Sequence, residues 1–283
     1  MHMEAASTLL NSIALTPSDD IRGSSVEDNF PVHYLSHGEL SAFRYFFTQF
    51  SYCYVLTIIS IGLTPALRLS IERTRAIFYG KDLFKNMLGG YDDVMITMLD
   101  IAVLRDWKES TVKMDAANQK TLDVQANSLH SRLRQLSQSL AIAEDASLLG
   151  READQAMITR CFISASFVYL AAITSAFEPD LPEIKIGVLQ TLADLEHMRA
   201  SSSINIPSWP YCVAGCLAHD KDFPRIHALN PRPQAGTHPL VMTKWTLDII
   251  EECWRVRGRA KPDAMSCDWR TGMNNLGTRL MLG

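Results

Sequence analysis

The sequence carries none of the short motifs that announce common chemistries. G-x-S-x-G, the P-loop, G-x-G-x-x-G and H-E-x-x-H are all absent, so hydrolase, nucleotide-binding and zincin readings lose their usual support. No C-x-x-C occurs among the six cysteines, Cys53, Cys161, Cys212, Cys216, Cys253 and Cys267, and the 212/216 and 253/267 pairs lack zinc-ligand spacing. With no secretory leader in view, reduced cysteines in a reducing, intracellular setting are expected. Positive charge is not in excess. A net charge of −4 and a pI near 6.1 argue against direct contact with nucleic acid. Only Arg255, Arg257, Arg259 and Lys261 cluster, at the end of a predicted helix, where they oppose the negative end of its dipole. No stretch alternates with the two-residue period of a strand.

What is present is apolar and helical. Of 283 residues, 47% are hydrophobic and 20% charged, enough for a sizeable core. Residues 1–37 hold Thr16-Pro-Ser-Asp-Asp20, Gly23-Ser-Ser25 and Asn29-Phe-Pro31 and read as a loosely ordered arm. Residues 38–283 read as a single helical domain. Two uncharged runs, Tyr45 to Leu63 and Cys161 to Phe177, meet or approach the length of a membrane span. Polar residues interrupt both, among them Thr48, Gln49, Ser51, Ser164 and Ser166. Central helices of large all-α proteins are apolar on all sides in the same way, so no membrane span is expected.

Helices are predicted from Pro65 to Phe78, from Asp92 or Asp93 to about Trp107, and over Leu122–Leu140, Glu152–Ser175, Ile184–Met198 and Thr243–Val256. A last short helix follows Asp268-Trp269 and ends at Leu280-Met-Leu282. Lys108–Lys120 and the Pro-rich stretch after Asp220 read as connections. His130, Arg132 and Arg134 form a basic face expected to be solvated, and Glu251 is expected to pair with Arg255 at i, i+4. The fold class is all-α, an irregular multi-helix bundle or array.

The most informative stretch is Ile206-Pro-Ser-Trp-Pro-Tyr-Cys-Val-Ala-Gly-Cys-Leu-Ala218. Pro210 suits the first turn of a helix because it lacks an N–H and has a fixed φ. Tyr211, Ala214, Gly215 and Ala218 then share one face, flat enough for another helix to approach closely. Glycine costs about 1 kcal/mol against alanine in an exposed helix, so Gly215 is expected where a side chain does not fit. Cys212 and Cys216 lie one turn apart in apolar surroundings, which raise a thiol's pKa and lower its reactivity.

The order of these features resembles the C-terminal half of the regulatory domain of fungal zinc-cluster transcription factors. The resemblance rests on Phe43-Arg-Tyr-Phe with Phe50-Ser-Tyr-Cys-Tyr-Val55, and on Met87-Leu-Gly-Gly-Tyr-Asp-Asp-Val94 through Ile101-Ala-Val-Leu104. It continues through Trp209-Pro210 with Ala214-Gly215-Cys216, and ends in Trp254, Asp268-Trp269, Met273, Gly277 and Leu280-Met-Leu282. Together these cover roughly residues 40–283. The resemblance implies a helical body able to enclose an apolar effector. The family's six-cysteine zinc cluster, basic linker and first half of the regulatory domain have no counterpart, so no direct contact with nucleic acid is implied.

Catalytic residues are not identifiable, and neither cofactor nor metal is expected. His33 and His37 have i, i+4 spacing but sit by Pro31 and read as loop or cap residues, and His219-Asp220 reads as a helix-ending turn. The aromatics Trp209, Tyr211, Trp245, Trp254 and Trp269 read first as core and second as the lining of an apolar cavity between helices. Three functions fit. In the preferred one the chain is a cofactor-free, pericyclase-like enzyme of fungal secondary metabolism, located in the cytoplasm, which folds an apolar terpenoid or polyketide into a reactive conformer. In the second it is the ligand-sensing regulatory part of a nuclear transcription factor. In the third it is an interaction module that forms a homodimer. The partner in the first two is an apolar small molecule.

Overall fold

The computed structural model describes residues 36–68, 71, 72, 74, 75, 92–145, 150–175, 177–201, 205–229, 241–259 and 268–282. Residues 1–35 of the expected arm and Met87–Tyr91 lie outside them; Ser36 and His37 belong to the first helix. Among the described residues the chain is all helix and turn, as expected. The elements are α1 (His37–Ile61), α2 (Pro65–Arg68), α3 (Asp92–Ser110), α4 (Ala116–Asp145), α5 (Arg151–Thr174), α6 (Pro182–Ser201), α7 (Ser208–Leu217), a 3-10 turn (Asp220–Asp222), α8 (Phe223–Leu229), α9 (Val241–Arg259) and α10 (Trp269–Asn275).

Local chemistry sets the boundaries. Ser36 and Glu39 close a capping box on α1: Glu39 N–H donates to Ser36 Oγ (3.3 Å) and Ser36 N–H to Glu39 Oε2 (2.8 Å). Gly62, at φ 95°, ends the helix in a conformation other residues rarely adopt. Pro182 opens α6 at its first position. Asp268 caps α10 by accepting from Thr271 N–H (2.9 Å).

Three boundaries differ from expectation. α4 starts at Ala116 because Asp115 caps it, its Oδ1 accepting from Asn118 N–H (2.8 Å). The supposed loop after Asp220 contains α8, held by Phe223 stacked on Trp254 with ring centroids 3.6 Å apart. The tail past Asn275 is not helical; it is pinned where Leu282 N–H donates to Ser60 Oγ (3.0 Å).

α5 is the axis of the molecule and packs against α3, α4, α6 and α7. By length and composition Glu152–Thr174 could cross a membrane, yet 72% of its apolar window is buried inside the protein. The run from Gln49 to Ile61 is a shorter apolar helix, also largely buried. Gln49–Ile61 and the second run are therefore core, while Tyr45 and Phe46 at the start of the first run are exposed. α9 and α10 cover α7 from one side, and α1 packs on α3 and α10.

Candidate functional site

Two regions hold the chemistry: the closed centre around α7 and an open trough over α5. In the centre, every residue of α7 is buried. A Cβ on Gly215 would stand 2.5 Å from Ile250 Cδ1 of α9, so the flat face exists to seat that helix. Trp254 Nε1 of α9 donates to the Gly215 carbonyl (2.8 Å). Arg257 donates to the Ala218 carbonyl (3.1 Å) and to that of Cys216. Arg257 thus places its positive charge at the C-terminus of α7. Arg255 pairs with Glu252 rather than Glu251, and Glu251 lies 3.8 Å from His227 Nδ1. Glu252 also accepts from Asn275 Nδ2 (2.9 Å), which draws this residue of the expected wet face into the interior.

The five aromatics do not converge on a cavity among the described residues. Trp209 stacks on Phe162 at 6.0 Å and meets Tyr169 edge-on at 5.8 Å. The Tyr211 hydroxyl donates to the Ile226 carbonyl (3.0 Å). Trp269 Nε1 donates to the Ser60 carbonyl (3.1 Å). Trp254 is half-buried against Phe223, and Trp245 is 39% exposed. His219 leaves α7 into the 3-10 turn, and burial pushes the Cys212 thiol up, with Cys216 Sγ 3.9 Å away. Cys53, Cys161 and Cys212 carry free thiols.

A buried ion pair ties this centre to the rest. Arg105 of α3 pairs with Asp268 ahead of α10, and both are less than a tenth exposed. The guanidinium also lies over Phe177 (4.8 Å to the ring centroid) and near Trp269 (5.7 Å). Burial alone would raise the Asp268 carboxyl; Arg105 and the Thr271 N–H hold it below its ordinary value. Nearby, Asp100 accepts from Arg75 (2.6 Å) and Arg132 (3.0 Å), so Arg132 is not merely solvated.

The trough is the opposite case. α4 and α6 both rest on α5 but diverge across it, leaving two half-open cavities of about 640 and 510 Å³. They meet at Phe167, Ile186 and Gly187. Gly187 lets α6 lie close, since its Cβ would fall 2.7 Å from Val168 Cγ2. Ile186 of α6 is 68% exposed at this junction. In the larger cavity His130 packs edge-on to Phe167 (5.1 Å), its pKa lowered by burial and by Arg134. In the smaller one Glu144 and Arg160 form an ion pair at the rim. Asp194 borders the same cavity at 7% exposure. Its Oδ1 accepts from Gln190 Nε2 (2.9 Å), while its Oδ2 has no hydrogen-bond partner among the described residues. The adjacent Ser164 hydroxyl donates to the Cys161 carbonyl (3.1 Å). Burial pushes the Asp194 carboxyl up, against the opposing pull of Ser164 and Gln190. No sequence pattern had marked Asp194. The available signal was an acid set among Leu192, Leu195 and Met198 on an apolar helix. No group of three or more metal-ligating side chains gathers among the described residues.

Comparison with known proteins places this architecture. The family model described as the fungal specific transcription factor domain matches residues 1–283. The chain is 24% identical over 212 residues to the ustiloxin B cluster transcription factor ustR of Aspergillus flavus, covering 70% of the chain and 35% of that protein. It is 25% identical over 225 residues to the trichothecene biosynthesis transcription regulator TRI10 of Fusarium sporotrichioides, covering 79% of the chain and 51% of that protein. It is 25% identical over 220 residues to the transcription factor ntnD of a Nectria species, covering 72% of the chain and 35% of that protein. The chain thus spans about a third to a half of the length of these curated relatives. No solved structure matches it. These names overturn the preferred reading from the sequence: the cyclase, the enzyme and the cytoplasmic setting that went with them all fall, because the relatives are regulators of transcription. The chain belongs to the fungal specific transcription factor domain family.

Proposed function

We propose that this chain is the regulatory body of a transcription regulator controlling a secondary-metabolite gene cluster, acting in the nucleus. The family match over residues 1–283 carries the reading, and the printed names of the relatives supply the kind of target. We propose further that the domain makes no direct contact with nucleic acid. In support, the net charge is −4, and Arg68, Arg75, Arg132 and Arg225 are held in ion pairs with Asp106, Asp100 and Glu196. Such pairs leave little free positive potential for phosphates. The control input is an apolar small molecule taken into the trough over α5, a half-open concave surface with an apolar floor.

The test is transcription. Deletion of the gene is expected to lower transcripts of a set of neighbouring biosynthetic genes, and a fluorescent fusion is expected to accumulate in the nucleus. Unchanged neighbouring transcripts in the deletion strain would refute the reading.

A further inference from the structure

We infer that the smaller trough cavity, between α4 and α6, recognises an apolar molecule carrying a protonated amine, with Asp194 as the group that takes it. This rests on reading the trough as the regulatory input and names the ligand chemistry for that input.

The argument starts from an unmet requirement. A carboxylate removed from water needs donors on both oxygens, and an unpaired one is costly. Gln190 serves Oδ1 at 2.9 Å, and Oδ2 is buried with no partner among the described residues. The nearby cation relieves it only in part, because Arg160 acts on it from a distance and is engaged by Glu144 across the rim. The single proton of the Ser164 hydroxyl cannot serve both the Cys161 carbonyl (3.1 Å) and the Asp194 carboxylate at once. A group that brings its own N–H⁺ satisfies Oδ2 with a charge-assisted hydrogen bond, roughly twice as strong as a neutral one.

The rest of the cavity sets the body of the ligand. Leu140, Ile163, Phe167 and Ile186 give it an apolar floor and sides, in a volume of about 510 Å³ that suits a drug-sized molecule. Glu144 adds a second carboxylate at the rim, so the charged groups at the cavity comprise two acids and one base. That balance favours a cation over an anion or a neutral alcohol.

The test compares two probes that differ only at the polar end, naphthylethylamine and naphthylethanol, titrated calorimetrically into the full chain. The amine is expected to bind about tenfold more tightly than the alcohol, and Asp194→Asn is expected to erase that ratio while leaving the alcohol unchanged. Equal affinity of the two probes, no binding of either, or an amine affinity untouched by Asp194→Asn would each overturn the inference. If Asp194→Asn does not fold, Ile186→Trp, at an exposed position bordering the cavity, takes its place. It is expected to abolish amine binding, and retained binding overturns the inference. Transcript loss in the deletion strain is independent of either binding result, so the regulatory reading stands or falls separately.

Discussion

The surroundings of α7 and the trough over α5 are built from the same materials and finished differently. Around α7 the space is filled and several polar groups taken from water are answered: Tyr211 by the Ile226 carbonyl, Trp254 by that of Gly215, Trp269 by that of Ser60, Arg105 by Asp268. Trp209 Nε1, Tyr169 Oη and Arg105 Nη1 are buried there with no partner among the described residues. Over α5, Asp194 keeps an oxygen with no partner and Ile186 keeps most of its side chain in solvent. A region that only holds the fold fills its space. A region that receives something leaves space open, at a cost in stability. On that difference in filling we read α7 as scaffold and propose the less conspicuous trough as the input site.

The largest expected break in the closed region is at the buried ion pair. Asp268→Ala leaves Arg105 charged and uncompensated and is expected to cost about 3–5 kcal/mol in chemical denaturation. The same carboxyl gives an acid signature. Its folded pKa lies below the unfolded one, so its contribution is present above the ordinary carboxylate range and is lost as pH falls through the folded value. Asp268→Asn is expected to flatten that part of the stability–pH curve.

A smaller break is at the helix contact. Gly215→Ala gains about 1 kcal/mol of helix propensity but forces a methyl into Ile250 Cδ1, an overpacking that costs about 1–3 kcal/mol. The net change is expected to be destabilising, and Ile250→Val, which removes that terminal carbon, is expected to rescue it. Additive losses in the double variant would contradict the contact. Trp254→Phe, which deletes the hydrogen bond to the Gly215 carbonyl, is expected to cost about 1 kcal/mol.

In the trough the sign reverses. The Asp194 carboxyl has a raised folded pKa, so its ionisation costs stability as pH rises from the unfolded value through the folded one. The charged groups around it are Glu144 on α4, Arg160 on α5 and His197 on α6. Asp194→Asn is expected to melt at or above the wild type at neutral pH, with the gap closing in acid. A variant that melts lower at neutral pH than in acid, relative to wild type, would break the contrast between the two regions.

Much of the scaffold was legible from residues alone. Pro210, Gly215 and the small residues around it pointed to a close helix contact, and Asp268-Trp269 pointed to a cap and a final helix. Those inferences need only local periodicity and the size of side chains. What the sequence hid depends on how helices meet. Nothing distinguished Arg257 from its basic neighbours, yet Arg257 reaches the end of α7. Arg132 looked like one more solvated cation until α3 brought Asp100 to it. The aromatics were ambiguous, because Trp209, Tyr211 and Trp269 would suit a cavity wall as well as the packed core they were first read as, and spacing cannot separate the two. The trough itself arises from the divergence of α4 and α6, a tertiary angle that leaves no mark in either helix's periodicity.

The most direct measurement is transcript abundance of the genes flanking this chain's own gene in three strains: wild type, deletion, and Ile186→Trp at the native locus. The account predicts that flanking biosynthetic transcripts fall in the deletion strain. It also predicts that the Ile186→Trp protein, with its trough filled, accumulates at the wild-type level but no longer sustains them. Unaltered transcripts in the deletion strain, or full activity from the filled trough, would contradict it.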